Sequence, residues 1–229
     1  MNYFVLKRIL DFIFSLIGIF LSLPLLLTCC VCLLISGETS PIYTSYRVGK
    51  RGALFRIFKL RTMRKIKSQP NVHFTNYDDE RITLLGKILR ASKLDELPQL
   101  FNILMGELSF VGPRPQLPEI FKKYDEETRL KLKKIKPGVT GIGSLFFRNE
   151  AQLLSKINPK KREEFYDQQI VSSKASLETW YVNNRTFWID FKILCFTIIV
   201  LFYTRLIKLN SFFNGLPKME FEANSNQYN

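Results

Sequence analysis

One histidine, His73, is all the chain has in 229 residues. Histidine-based triads and multi-histidine metal sites are therefore not expected. Cysteine is scarce too. Cys29, Cys30 and Cys32 lie inside one apolar stretch and Cys195 in another, where a thiol serves as a small hydrophobe. Their spacing suggests neither zinc nor a disulfide framework. Acids are few: 20 Asp and Glu stand against 34 Lys and Arg, for a formal charge of +14. That balance implies a partner rich in negative charge, whether nucleic acid, anionic lipid or phosphorylated substrate. No G-x-G-x-x-G follows a strand, which argues against a Rossmann nucleotide site. No internal repeat is visible.

What the chain does have is a long apolar run. Residues 12–35, FIFSLIGIFLSLPLLLTCCVCLLI, contain no charge. As one helix they would reach about 36 Å, enough to cross a hydrocarbon core of roughly 30 Å. A cleaved signal peptide is disfavoured, because the run is too long and no A-x-A-like site follows. Pro24 sits at the midpoint and removes a backbone donor. Lys7 and Arg8 precede the run, and RVGKRGALFRIFKLRTMRKIK (47–67) follows with nine basic residues and no acid. Both flanks prefer the cytoplasmic side. A re-entrant helix-break-helix anchor satisfies both features; a kinked span is the competitor. Asp11 is expected to pair with Lys7 or Arg8 one turn back. The basic run fits anionic lipid, at roughly 1 kcal/mol per cation near the surface. A second apolar run (193–204) is too short to span. It reads as an interfacial helix with Trp180, Tyr181, Phe187 and Trp188 at headgroup level, or as a core helix.

Between these runs lies a soluble body. Residues 41–60 alternate around the turn signal GKRG (49–52) and predict a β-hairpin. Residues 81–91 carry Ile82, Leu85, Ile88 and Leu89 at helical spacing. LDELPQLFNILMG predicts a helix stopped by Gly106. VGPRPQLP (111–118) must be extended, and IFKKYDEETRLKLKKIK reads as one charged amphipathic helix. KPGVTGIG (136–143) reads as a glycine turn that allows close backbone approach to a ligand. Residues 163–185 look helical. The tail after Pro217 is polar and expected to be disordered.

The stretch SKLDELPQL (92–100) places Asp95 and Glu96 side by side. Its plain reading is a helix cap, since Ser92 to Asp95 fits S-x-x-D and acids complement a first helical turn. Its functional reading is phosphate chemistry. Carboxylates are Mg²⁺ ligands, and an aspartate can attack phosphorus to form an acyl phosphate. Phosphoryl transfer also needs cations near the acids. Lys59, Arg61, Arg90, Arg114 and Arg148 are the candidates, although each taken alone reads as a surface cation.

The ordered stretches resemble the bacterial sugar transferases, monotopic polyprenyl-phosphate phosphoglycosyl transferases. The resemblance runs from KRILDFIFSLIG through RVGKRGALFRIFKLRTM, RITLLGKILRASKLDELPQLFNILMGELSFVGPRP and KPGVTG to YVNNRTFWIDFKIL. It implies transfer of a sugar-1-phosphate from a UDP-sugar to a polyprenyl (undecaprenyl) phosphate, with release of UMP, at the cytoplasmic face of the bacterial inner membrane. Asp95 would be the nucleophile that carries a covalent phosphosugar. Glu96 would help Asp95 hold Mg²⁺. Lys59, Arg61 and Arg90 would neutralise phosphates. The Pro113, Arg114, Pro115 loop and the stretch around Thr140 would shape the nucleotide pocket, with Arg148 on its phosphate. Three departures stand out: GIGSL after the P-G-V-T-G stretch, Asp79-Glu80-Arg81 before Ile82, and Ser22-Leu23-Pro24 where an adjacent Ser-Pro pair is common.

The expected fold is α/β and mainly helical, a small compact catalytic body with an N-terminal re-entrant membrane helix and interfacial amphipathic helices. The anchor would span 1–36, the catalytic domain 37–210 and the tail 211–229. Expected partners are a UDP-sugar, polyprenyl phosphate and anionic membrane lipid, with no nucleic acid; self-association is compatible with all of this. The competing readings are a non-catalytic membrane adaptor that binds anionic lipid and a membrane-tethered nucleic-acid binder. Neither accounts for the acid pair and the anchor together.

Overall fold

In the computed structural model, residues 3–64, 79–202 and 212–217 are described. His73 and most of the tail expected to be disordered lie outside them. The apolar run forms one helix, α1 (Tyr3–Ile35), and helical structure continues through Pro24. The expected break at Pro24 is thus corrected. Proline removes one helix hydrogen bond, while the Thr28 hydroxyl donates to the Pro24 carbonyl at 2.9 Å. The outer face of α1 is apolar and exposed, with Phe20 at 79% and Leu21 at 72%.

The other face of α1 packs on the body toward both ends, with Asp11 and Ser15 buried on one side of Pro24 and Leu26, Cys29 and Leu33 on the other. Near its start, Lys7 pairs with Asp190, Arg8 donates to the Ile103 and Leu104 carbonyls, and the Asp11 carboxylate accepts from Phe110 N–H. The expected pairing of Asp11 with Lys7 or Arg8 is replaced by these longer-range contacts. Buried groups need partners, and the body supplies better ones than the preceding turn. Near its end, Leu26, Cys29 and Leu33 join Leu60 and Leu89 in a small apolar cluster.

The hairpin forms as expected from β1 (Ile42–Val48) and β2 (Leu54–Leu60), antiparallel with Ile42 opposite Leu60. Its turn uses Arg51 at φ 61° and Gly52 at φ 77°, the left-handed region that favours glycine. Alternation buries Phe55 and Ile57 on one face, while Leu60 joins the separate cluster beneath α1. Helix α2 (Leu84–Ala91) starts later than the apolar spacing implied. Thr83 caps it by accepting from Gly86 N–H at 2.9 Å, and Ile82 bridges to Met63 instead. Helix α3 (Gln99–Met105) ends at Gly106, φ 84°, as expected.

Two short parallel strands, β3 (Ser109–Val111) and β4 (Gly138–Thr140), flank the proline loop. The glycine stretch therefore contributes a strand, not only a turn. The charged segment expected as one helix divides into α4 (Pro118–Lys122) and α5 (Glu126–Leu132). The reason is Asp125, whose side chain accepts from Thr128 N–H at 2.8 Å and starts a new helix. Short helices α6 (Ile142–Phe146), α7 (Glu150–Ser155) and α8 (Arg162–Phe165) follow. A π-helical turn (Tyr166–Val171) leads into α9 (Ser172–Asn184), and α10 (Phe187–Phe202) closes the body.

The main core gathers around α9, with Leu177, Tyr181, Phe165, Ile170 and Ile142 almost fully buried. Trp180 (9% exposed) and Tyr181 (1%) belong to it, which corrects their expected headgroup position. Phe187 and Trp188 remain exposed. Phe213 is buried against Trp180 and Phe196, so part of the expected tail contributes to the core.

Candidate active site

The acid pair does not start a helix in the expected way. Ser92 ends α2, and its hydroxyl donates back to the Ile88 carbonyl at 2.8 Å. Lys93 then turns the chain at φ 59°, and Leu94–Glu96 form a short 3₁₀ turn ahead of α3. A serine that back-bonds to the preceding turn cannot also cap the next one. The N-cap of that turn is Lys93, and no side chain caps it. Asp95 is buried at 8% exposure, and no donor among the described residues reaches its Oδ1. A caged carboxylate oxygen of this kind calls for an explanation.

Glu96 is held differently. Lys59 on β2 donates to its Oε1 at 2.7 Å. Burial pushes Glu96 up, but Lys59, Arg114 and Lys93 outweigh it and bring its pKa down to about 2. Burial raises the Asp95 pKa from its ordinary value; Lys59, Lys93 and Arg90 act against that, while Glu96 adds to it. Burial lowers Lys59, and Glu96 opposes that shift. The neighbouring acids are thus pushed apart, a pattern of functional carboxylate pairs.

Both acids open into a cavity of about 1110 Å³. Lys59, Arg61, Arg90, Arg114, Thr140 and Arg148 all line it as well, so the fold gathers every residue singled out from the sequence. Their bonding differs. Arg90 donates through Nε to the Thr62 hydroxyl at 2.8 Å. Arg61 donates to the Ser40 carbonyl at 2.7 Å and stacks over Tyr43. Thr140 shares a 2.7 Å hydrogen bond with Thr197 on α10, so its hydroxyl is already partnered. Asp79 is tied to Arg81 at 2.6 Å. Gly86 permits the close seat of α2, since a Cβ there would overlap the Thr62 carbonyl.

The far wall was not foreseen. Lys174 on α9 pairs with Glu150 at 2.7 Å beneath the rings of Phe147 and Tyr166. Arg47 lines the same wall; burial, with Arg114 beside it, lowers it to about 10. Glu178, 2% exposed, accepts from Arg114 N–H at 3.1 Å and so grips the proline loop. Residues 47, 150, 174 and 178 form no local motif. Only an unusually placed Lys174, inside the small-residue stretch SSKAS, hinted at burial.

The dyad supplies hard oxygen donors. These fit Mg²⁺, which takes one or two protein carboxylates and completes its shell with water and substrate phosphate. The carboxylates of the dyad are the candidate ligands: Asp95 Oδ1 is buried without a donor among the described residues, and Glu96 Oε1 is taken by Lys59.

Comparison with known proteins gives the family. Residues 2–204 match the bacterial sugar transferase family, and the chain belongs to that family. It is 34% identical over 203 residues to the uncharacterized sugar transferase EpsL of Bacillus subtilis, covering 85% of this chain and 86% of that one. It is 32% identical over 203 residues to the UDP-glucose:undecaprenyl-phosphate glucose-1-phosphate transferase of Caulobacter vibrioides, covering 84% and 68%. A Klebsiella pneumoniae protein of the same name is 31% identical over 197 residues, covering 85% and 39%. Some relatives are thus much longer: the chain spans only 33% of the galactosyl transferase CpsE of Streptococcus agalactiae.

Proposed function

We propose that the chain transfers a sugar-1-phosphate from a UDP-sugar to undecaprenyl phosphate and releases UMP, an initiating step of polysaccharide or glycoprotein biosynthesis. The observation that carries this reading is the buried, donorless Asp95 Oδ1 beside the Lys59–Glu96 pair in a cation-walled cavity. The names of the relatives supply the substrates.

In this scheme the Asp95 carboxylate attacks the phosphorus that carries the sugar. An Asp95 O–P bond forms, the bridging P–O bond breaks, and UMP leaves with the bond's electron pair. An oxygen of the lipid phosphate then attacks the same phosphorus and frees Asp95. Lys59 and Arg90 offset charge on the phosphates. The Pro113, Arg114, Pro115 loop, fixed by Glu178, presents Arg114 to the nucleotide, with Arg61 and Arg148 on adjoining walls. Asp95 and Glu96 would hold Mg²⁺, which when bound supplies Lewis-acid neutralisation of phosphate oxygens.

The anchor completes the reading. Both ends of α1 touch the same body, at Asp190 and α3 on one side and at Leu60 and Leu89 on the other. That supports a re-entrant anchor in residues 1–36 that turns back by a kink at Pro24 within one continuous helix, serving a catalytic domain at the cytoplasmic face. The exposed apolar side chains of α1, α2 and α10 suit contact with lipid.

The test is UMP release in nanodiscs with undecaprenyl phosphate, Mg²⁺ and a panel of UDP-sugars. Asp95→Asn is expected to lose activity by on the order of a thousandfold or more, and Glu96→Gln to lose much of it. An Asp95→Asn enzyme that keeps most of its turnover would refute the nucleophile assignment.

A further inference from the structure

We propose that Arg47 of β1 joins Arg114 in a paired-guanidinium clamp on the donor phosphate that departs with UMP. This deepens the reading of the cavity as a UDP-sugar site and rests on it. Both arginines line the cavity. The backbone brings them together, because Val48 N–H at the end of β1 donates to the Gln116 carbonyl at 3.0 Å. Strand and proline loop are thus joined next to Arg47 on one side and close to Arg114 on the other.

Both forks are free. Arg47 donates through Nε to the Ser45 hydroxyl at 3.3 Å, and its Nη groups have no partner among the described residues. At Arg114 only the backbone N–H is engaged, by Glu178. Arg61, Arg81 and Arg90 differ: their side chains are held by Ser40, Asp79 and Thr62. Arg47 is also short of counter-charge. Burial and then the neighbouring Arg114 weaken its hold on its proton, while Tyr43, Tyr166 and Glu119 act the other way. No carboxylate among the described residues forms an ion pair with it. Two like charges held side by side in this way favour an anion between them, and planar forks grip a phosphate through parallel N–H bonds.

The position selects which phosphate. Arg114 also acts on Glu96, so the clamp begins beside the dyad. With the sugar-bearing phosphorus at Asp95, the other phosphorus lies one bridging oxygen away and falls on the Arg114 side. When the bridging P–O bond breaks, UMP takes the electron pair and gains negative charge. Two fixed cations stabilise that charge as it develops. The lipid phosphate is the poorer occupant. Arg114, Tyr43, Tyr166 and Glu119, the groups that act on Arg47, all lie off α1 and α10, whose exposed apolar side chains suit lipid.

The experiment uses the full chain in nanodiscs. UMP and uridine are titrated by calorimetry, and turnover is measured with undecaprenyl phosphate, Mg²⁺ and the UDP-sugar that the panel selects. The variants are Arg47→Gln and Arg47→Lys, with Arg56→Gln as the control on the exposed face of β2. Wild type is expected to bind UMP at least about tenfold more tightly than uridine. Arg47→Gln should lose most of that margin with uridine affinity unchanged, and its kcat should fall about a hundredfold. Arg47→Lys should recover only part, since an ammonium lacks the fork. Lipid KM should stay within about twofold in all three, and Arg56→Gln should resemble wild type. The Tm of Arg47→Gln should not fall, because the charge removed has no carboxylate partner. An Arg47→Gln variant that keeps the UMP margin, or that raises lipid KM instead, overturns the proposal. So does a lowered Tm with UMP and uridine weakened in parallel, which would report lost packing. A wild type that releases no UMP with any donor overturns the functional reading, while the comparison of UMP with uridine still decides the clamp.

Discussion

Glu178→Gln separates the electrostatics of the proline loop from its packing. Glu178 is sealed inside the body, with Gly143 pressed against its Oε1 and no partner among the described residues for its Oε2. Burial drives its pKa from 4.5 to about 7, opposed by the Arg114 N–H and by Lys174. At ~1.4 kcal/mol per pH unit, ionising it in place costs about 3 kcal/mol. The sign follows from proton counts. Between pH 4.5 and 7 the folded state holds a proton that the unfolded state has released, so stability falls as pH rises through that window and levels off above it. Glutamine keeps the acceptor for Arg114 N–H and cannot ionise. The variant should match wild type near pH 5 and exceed it near pH 8 by about 3 kcal/mol, or roughly 6–12 °C in Tm for a chain of this size. Thermal unfolding in detergent from pH 5 to 8.5 measures it. A wild type whose Tm does not fall across that range, or a glutamine variant that falls in parallel, would refute the reasoning.

Other perturbations act on the remaining supports. Lys59→Met strands the largely buried Glu96 and should destabilise by about 3 kcal/mol, read by thermal unfolding, with turnover lost as well. The low pKa of Glu96, about 2, means that wild-type stabilisation from this group is present above pH 4.5 and fades as pH falls towards 2; Lys59→Met should weaken that acid dependence. Asp190→Ala removes the shared acceptor of Tyr3, Lys7 and Tyr181. It should cost about 3 kcal/mol or more and speed proteolysis at the start of α1. Gly86→Ala drives a methyl into the Thr62 carbonyl. It should cost about 1–3 kcal/mol and, by moving Arg90, lower kcat more than it raises KM.

Local chemistry made several elements legible in the sequence alone. The hairpin was written in alternation and a turn signal, and the α3 stop in Gly106. The long apolar run announced a helical anchor, though not that its helix would continue through Pro24. The acid pair and its companion cations could also be proposed in advance, through the resemblance of the ordered stretches to one family; that they line one cavity came only with the fold. Tertiary structure decided what those groups do to one another. Whether Asp95 and Glu96 cap a helix or face a cavity depended on Lys93 adopting φ 59° and on Lys59 arriving from β2. The partners of Lys7, Arg8 and Asp11 lie 95 or more residues away, at Asp190, α3 and Phe110. Arg47, Glu150, Lys174 and Glu178 meet only once α9 packs beneath the proline loop. Side-chain type fixes which interactions a residue can make. Burial and proximity fix which it does make, and neither exists until the chain has closed on itself.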